Sequence, residues 1–248
     1  MRVDFCLPIR NEAEVIENNL LQLISCLNTI KLDFDWKIIG VINGSSDDSA
    51  LIVESVKNSF FDKLDLINIE RPGKGGAIKL CWRRSDAEVL VFMDADLAVS
   101  LEAVERLVRP VLKKEADLVI SSRFISGASA QRSLQRGIIS KSYAFLSRLM
   151  LNHKVQDIQC GFKVISSAAF KKIEKFLVDD DWFFDTELVV LAGIAKLKVL
   201  EIAVTWRENR ASTKKSKIRI FSDSFQFIKK LVLFRFNLKM IKRYFRNV

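Results

Sequence analysis

The amino-acid sequence predicts an α/β fold, a mostly parallel sheet with helices on both faces. Three observations predict it. Six short apolar runs alternate with stretches whose apolar residues recur at helical spacing. The runs are apolar at consecutive positions, as in strands covered on both faces, where a half-exposed strand would alternate. The chain of 248 residues is 49% apolar and 28% charged, with nine Gly and three Pro, enough apolar residue to bury the core that such a sheet needs.

Taken in order, Phe5 to Ile9 reads as the first strand and leaves into Pro8-Ile9-Arg10-Asn11-Glu12. Ile16, Leu20, Leu23, Leu27 and Ile30 then follow a helical period. Lys37 to Ile42 is the second strand, running into Asn43-Gly44-Ser45-Ser46-Asp47-Asp48-Ser49, and Leu64 to Ile69 is the third. Gly73-Lys74-Gly75-Gly76-Ala77 opens a helical stretch reaching about Arg84. Its glycines are expected to let backbone and lysine approach an anion at a helix N-terminus. The G-x-x-x-x-G-K-[ST] spacing of a nucleoside-triphosphatase loop is absent. Val89 to Met93 is the fourth strand and ends in Asp94-Ala95-Asp96; Ser100 is the expected N-cap of a helix carrying Leu101, Val104, Val108 and Val111. Leu118 to Ser121 leads into Ser122-Arg123-Phe124, and Val199 to Thr205 completes the strands. No Gly/Ser/Pro-rich linker precedes about residue 205, so one domain over 1–205 and a tail over 206–248 are expected.

That tail is basic: Thr205 to Val248 holds thirteen Lys and Arg against Glu208 and Asp223, a local +11 in a chain of +10. A basic tail on a neutral body points to a polyanion or an anionic membrane surface. From Phe227 onward, Phe227, Leu231, Phe234, Leu238, Ile241 and Phe245 form one helical stripe and Arg235, Lys239, Lys242 and Arg246 another. The expectation is a helix lying in a lipid interface with the aromatic stripe inserted; the competing expectation packs that stripe on the domain. No signal peptide is expected, since Arg2 and Asp4 fall within the first residues, and no uncharged stretch reaches the ~18 residues of a membrane span.

Other classes are excluded by composition. Cys6, Cys26, Cys81 and Cys160 form no CxxC pair, which argues against a zinc site or disulfide scaffold and for a reducing cytosol. With His153 alone, no Ser-His-Asp hydrolase or histidine metal cage can be built. Strands buried on both faces give no stacking platform for RNA, so no nucleic-acid partner is expected.

In open α/β sheets ligands sit at the carboxyl ends of strands. There Asp94 and Asp96, two residues apart, put both carboxylates on one side of the strand end. Two hard oxygen ligands suit Mg²⁺ or Mn²⁺ with phosphate oxygens completing the shell, so a diphosphate ligand is anticipated.

Together these strand exits resemble the family 2 glycosyltransferases. Pro8, Asn11 and Glu12, then Asn43 to Asp47, then Gly73 to Ala77, then Asp94 to Asp96 reproduce the order and spacing of that family's P-x-x-N-E, D-D-G-S-x-D, G-K-G-x-A and D-A-D motifs. Asp157 to Lys163, Trp182 to Leu188, Trp206-x-Glu208 and Ser216-Lys217 extend the resemblance to the polyprenyl-phosphate glycosyltransferases, nearer to dolichyl-phosphate β-glucosyltransferases than to dolichyl-phosphate mannose synthases.

The resemblance implies a GT-A fold over 1–205, then a basic acceptor loop and membrane-interface helix over 206–248. It implies an inverting hexosyltransferase that moves a sugar, glucose before mannose, from UDP-glucose or GDP-mannose to a polyprenyl phosphate, on the cytoplasmic face of a membrane. By the same resemblance Asp94 and Asp96 are expected to hold Mg²⁺ or Mn²⁺, and Pro8, Arg10, Asn11, Glu12, Asn43, Lys74 and Ala95 to bind the nucleotide sugar. Arg123, Arg136, Ser216 and Lys217 are expected to bind acceptor or phosphate, and Asp157, Gln159 and Asp185 to join the two aspartates in catalysis. Asn43 stands where the family has an aspartate that accepts from the base; its amide oxygen can still accept, but its N–H groups also offer donors, which leaves the base preference open. Alternatives are a non-lipid acceptor or an inactive lipid- or nucleic-acid-binding relative.

Overall fold

The computed structural model describes residues 1–30, 34–131, 134–208 and 220–246, excluding the side chains of 134–136 and 220–225. In chain order the elements are β1 (Arg2–Ile9), α1 (Ile16–Thr29), β2 (Asp35–Asn43), α2 (Ser49–Ser59), β3 (Leu64–Ile69), α3 (Lys74–Arg84), β4 (Val89–Met93), α4 (Val104–Leu112) and β5 (Leu118–Ser122). Then come β6 (Ser129–Gln131), α5 (Leu134–Leu151), β7 (Phe162–Ser166), α6 (Ser167–Ile173), α7 (Phe184–Ile194), β8 (Val199–Ala203), β9 (Thr205–Arg207) and α8 (Ile220–Arg246).

The main sheet runs β3-β2-β1-β4-β7-β5-β8, parallel throughout except that β7 is antiparallel to both neighbours. Each expected strand is present; the inner strands β1, β4 and β5 are buried on both faces, while the edge strands β3 and β8 carry Asp65, Asn68 and Glu201 and are only partly buried. Alternation within β4 shows the two faces: Val89, Val91 and Met93 join the apolar layer under α1, α2 and α4, while Leu90 and Phe92 join the layer under α3, α6 and α7.

Three local expectations are corrected. The stretch Val199 to Thr205 is two strands, because the chain leaves the main sheet after β8 and Thr205–Arg207 pairs with β6 in a separate two-stranded sheet. The sequence reading has no strand at β7, where a lysine interrupts the apolar run; Lys163 is fully buried there and donates to the Cys160 carbonyl and the Asp185 carboxylate. Ser100 makes no side-chain cap; its carbonyl accepts from Ala103 N–H at 3.0 Å, opening a short 3₁₀ turn (Leu101–Ala103) before α4.

The largest correction concerns α8. Its stripe Leu231, Phe234, Leu238 and Ile241 is buried against the α3/α6/α7 side of the sheet, not presented to lipid. Phe234 meets Phe183 edge-on at 5.7 Å between centroids, and Phe227 meets Tyr143 of α5 at 5.2 Å. Covering a Leu or Phe stabilises by about 1.5–3 kcal/mol, so the stripe fixes α8 to the domain as one body. Among the described residues no helix is long and apolar enough to cross a membrane.

Candidate active site

The site begins where β4 stops. Asp94 N–H donates to the Gly161 carbonyl at 2.8 Å, which holds the strand exit against the start of β7. A Cβ on Gly161 would lie 1.9 Å from Asp94 Oδ2, so glycine is the residue that leaves room for this carboxylate. Asp96 Oδ1 accepts from Ala98 N–H at 3.2 Å, turning the chain back two residues later.

Beside Asp94 lies an alternating row of buried charges. Lys74, 6% exposed at the first turn of α3, places Nζ 2.8 Å from Asp94 Oδ1 and 3.5 Å from Asp185 Oδ2. Asp185, fully buried on α7, is also paired with Lys163. Burial opposes the Lys74 cation, but Asp185 and Asp94 hold its pKa above the ordinary lysine value. Its ammonium also sits over the rings of Phe92 and Trp182, at 4.8 and 4.9 Å. Asp185 thus anchors two lysines and stands behind the cleft lining, which it does not join.

The glycine loop works differently from its expected role. Gly75 and Gly76 N–H donate to the Asp181 and Asp180 carbonyls at 3.2 and 2.9 Å, and Gly73 N–H donates to Asn43 Oδ1 at 2.7 Å. A Cβ on Gly75 would come within 2.6 Å of Phe184. The glycines therefore admit the 179–181 segment of the chain itself, and the N–H groups of Gly73, Gly75 and Gly76 are taken up by protein oxygens. Asn43's oxygen is engaged by the same loop, which leaves its amide N–H groups for a ligand. The 179–181 segment is tied down further by Lys79 on Asp180 at 2.8 Å and by Lys230 of α8 on Asp179 at 2.5 Å. Glu187 accepts from Asp179 N–H at 2.9 Å, and burial raises its pKa to about 7.

Pro8, Arg10, Glu12, Asn43, Lys74, Asp94, Ala95 and Asp96 line one cleft of about 120 Å³, together with Gly73, Asp181 and Trp182. Asn11 stands outside its lining. At φ 52° it turns the chain after β1, and its Oδ1 accepts from Ser46 N–H at 2.8 Å, bracing the loop after β2. Trp182 and Asp181 were not singled out as ligand residues from sequence; an aromatic after three acidic residues signals a loop without saying where it folds.

A second feature lies across Asp94. Arg123 is held by a buried Asp157: Arg123 N–H, Nε and Nη2 donate to its two oxygens at 2.8, 2.7 and 2.8 Å. Burial works against this cation, but the bonds to Asp157 keep its pKa above the ordinary arginine value. Its guanidinium is flanked by Phe124 and Trp206, at 5.4 and 5.6 Å, and Trp206 shares a small cleft with Asp94 and Gly161. Both Asp157 oxygens are occupied, so it positions Arg123; its own backbone N–H donates to Glu201. Gln159 donates to Thr186 Oγ1 at 3.2 Å, which also meets Tyr143. Cys160 is buried and burial raises its thiol to about 11, which suits a packing role and not a nucleophile. Arg136 lies on α5 with its side chain outside the described residues, and Ser216 and Lys217 lie wholly outside them.

Asp94 and Asp96 fit a hard divalent cation as a two-carboxylate site open to a cleft. Among the described residues no cluster of three or more His, Cys, Asp or Glu suited to a metal occurs; ions such as Mg²⁺ are commonly held by only one or two carboxylates with phosphate and water.

Comparison with known proteins identifies the family and the fold. The Glycosyl transferase family 2 profile matches residues 4–174. Glycosyltransferase AglD of Haloferax volcanii is 32% identical over 219 residues, 88% of this chain and 35% of AglD. Dolichyl-phosphate beta-glucosyltransferase ALG5C of Trichomonas vaginalis is 30% identical over 216 residues, 82% of this chain and 63% of that protein. The chain thus spans about a third of one relative and less than two thirds of the other. Glucosyl-3-phosphoglycerate synthase from Mycobacterium tuberculosis, solved with Mn²⁺, UDP-glucose and glycerol 3-phosphate, superposes with a TM-score of 0.67 at 19% identity, covering 94% of this chain and 79% of that one. That likeness identifies the fold as GT-A.

Proposed function

The chain belongs to glycosyl transferase family 2, and on that premise we propose that it moves glucose from UDP-glucose to the phosphate of a polyprenol at a membrane surface, inverting the anomeric carbon. The observation that carries this reading is the placement of Asp94 between the cleft that Arg10, Lys74 and Asp96 line and the caged guanidinium of Arg123. The names of the relatives favour a dolichyl-phosphate acceptor and glucose over mannose. GDP-mannose is the alternative donor, and the cytoplasmic face of the membrane is the proposed location.

The donor's diphosphate lies against Asp94, Asp96 and Ala95, with the base between Pro8 and the β2 exit, where Asn43 presents N–H donors. Asp94 and Asp96 would hold Mg²⁺ or Mn²⁺, which when bound would supply charge neutralisation for the leaving nucleoside diphosphate. Lys74, held by Asp185, which Lys163 pairs with in turn, orients the Asp94 carboxylate. The acceptor phosphate is already an anion and needs little deprotonation, so positioning dominates. Arg123, pre-oriented by Asp157, is the proposed bidentate partner of that phosphate. Arg136, Ser216 and Lys217 complete the proposed acceptor side.

Transfer of radiolabelled sugar from a panel of UDP- and GDP-sugars to a short polyprenyl phosphate, with Mg²⁺ or Mn²⁺, tests the reading. Metal-dependent product from UDP-glucose that is lost in Asp96→Ala supports it. Product from GDP-mannose alone corrects the sugar, and no transfer from any donor overturns it.

A further inference from the structure

With the predicted stripe of α8 buried, the opposite side of that helix becomes informative. Val232, Phe236 and Met240 recur every four residues there at 38%, 74% and 68% exposure. The neighbouring α5, joined to α8 through Tyr143 and Phe227, likewise exposes Phe145 and Leu149 at 62% and 72%. Apolar side chains this large, clustered on two adjoining helices, mark an interaction surface more often than chance exposure. Charge narrows the partner. Residues 137–151 and 226–246 carry nine Lys and Arg and no carboxylate. Among the apolar positions stand Lys141, Arg148, Arg235, Lys239 and Arg243.

We propose that the outward faces of α5 and α8 form a docking surface for an anionic lipid bilayer, with Phe236, Met240, Phe145 and Leu149 entering the acyl boundary and the cations meeting headgroup phosphates. A bilayer satisfies both halves of the surface at once, since long basic side chains reach headgroups while their stems lie along apolar neighbours. A second copy of the chain would set this carboxylate-free, cationic face against itself, which like-charge repulsion opposes. The inference deepens the proposed acceptor reading, because a polyprenyl phosphate resides in such a bilayer, but lipid docking is measurable without transfer.

The test is co-sedimentation of the full chain with vesicles of phosphatidylcholine alone or mixed with phosphatidylglycerol, without donor or acceptor. Binding is expected to the anionic vesicles only and to weaken with salt. Phe236→Glu/Met240→Glu should lower binding by about tenfold or more. Leu51→Glu, at a 72% exposed position on α2 across the sheet, should leave it unchanged. Undiminished binding of the double variant, equal binding to neutral vesicles, or no vesicle binding with a dimer that the double variant dissociates, overturns the proposal. Transfer to a water-soluble short-chain polyprenyl phosphate is read in parallel. Lost docking with transfer retained is expected of the double variant. In the wild type, docking without transfer sinks the enzymatic reading alone, and transfer without docking sinks the docking surface alone.

Discussion

Gly161→Ala addresses the centre of the site without touching a charged group. Its new Cβ would stand 1.9 Å from Asp94 Oδ2, 2.4 Å from Cγ and 3.1 Å from Oδ1, whereas ordinary contact begins at 3.4 Å. The carboxylate must therefore retreat by the difference between 3.4 and 1.9 Å, about 1.5 Å. Such a move breaks or rotates the 2.8 Å pairing with Lys74. A misplacement of about 1 Å in a reacting constellation costs on the order of 10²-fold in rate. Strain from one added methyl in a packed region adds about 1–3 kcal/mol of destabilisation, less than a typical domain's ~5–15 kcal/mol. The variant should therefore remain folded, as followed by urea titration with circular dichroism. Its transfer rate at saturating metal should fall by about two orders of magnitude. Wild-type kinetics in a folded Gly161→Ala protein would refute the assignment of Asp94 to the reacting centre.

The Arg123–Asp157 pair should behave as a buried ion pair. Asp157→Asn is expected to cost about 3–5 kcal/mol in urea unfolding, and Arg123→Met/Asp157→Leu to recover most of it while abolishing transfer; an inexpensive single variant contradicts the cage. Glu187, raised to about 7 by burial, binds its proton more tightly folded than unfolded. Stability should therefore fall as pH rises from about 4.5 to 7, by about 3 kcal/mol in all. Glu187→Gln should flatten that slope, which denaturant midpoints at pH 5 and 8 measure directly. Lys230→Ala removes the pairing of α8 with Asp179 and Asp181, the segment leading into Trp182 at the cleft. The KM for the nucleotide sugar should rise several-fold with kcat unchanged, while stability changes by less than about 1 kcal/mol; an unchanged KM would show that the tether is incidental.

The parallel core was legible because strands covered on both faces write their burial as uninterrupted apolar runs, and because strand exits such as Asp94-Ala95-Asp96 carry their chemistry at fixed spacing. Lys163 hid β7 for the converse reason. A lysine is buried there only because Asp185, 22 residues later, neutralises it, and no local pattern announces a partner so far away. The packing role of the glycine loop was hidden by the same limit, since freedom to approach an anion and freedom to admit residues 179–181 look identical in sequence.

By itself, then, the sequence determined the α/β class, the strand exits that meet in the cleft, and the basic, amphipathic character of the C-terminal helix. These are properties of period, composition and spacing along the chain. The tertiary structure alone decided which face of α8 is buried, that Asp157 holds Arg123, and that Asp185, paired in turn with Lys163, holds Lys74 beside Asp94. Each depends on groups brought together across the fold, where burial turns a side chain's charge into a requirement for a specific partner.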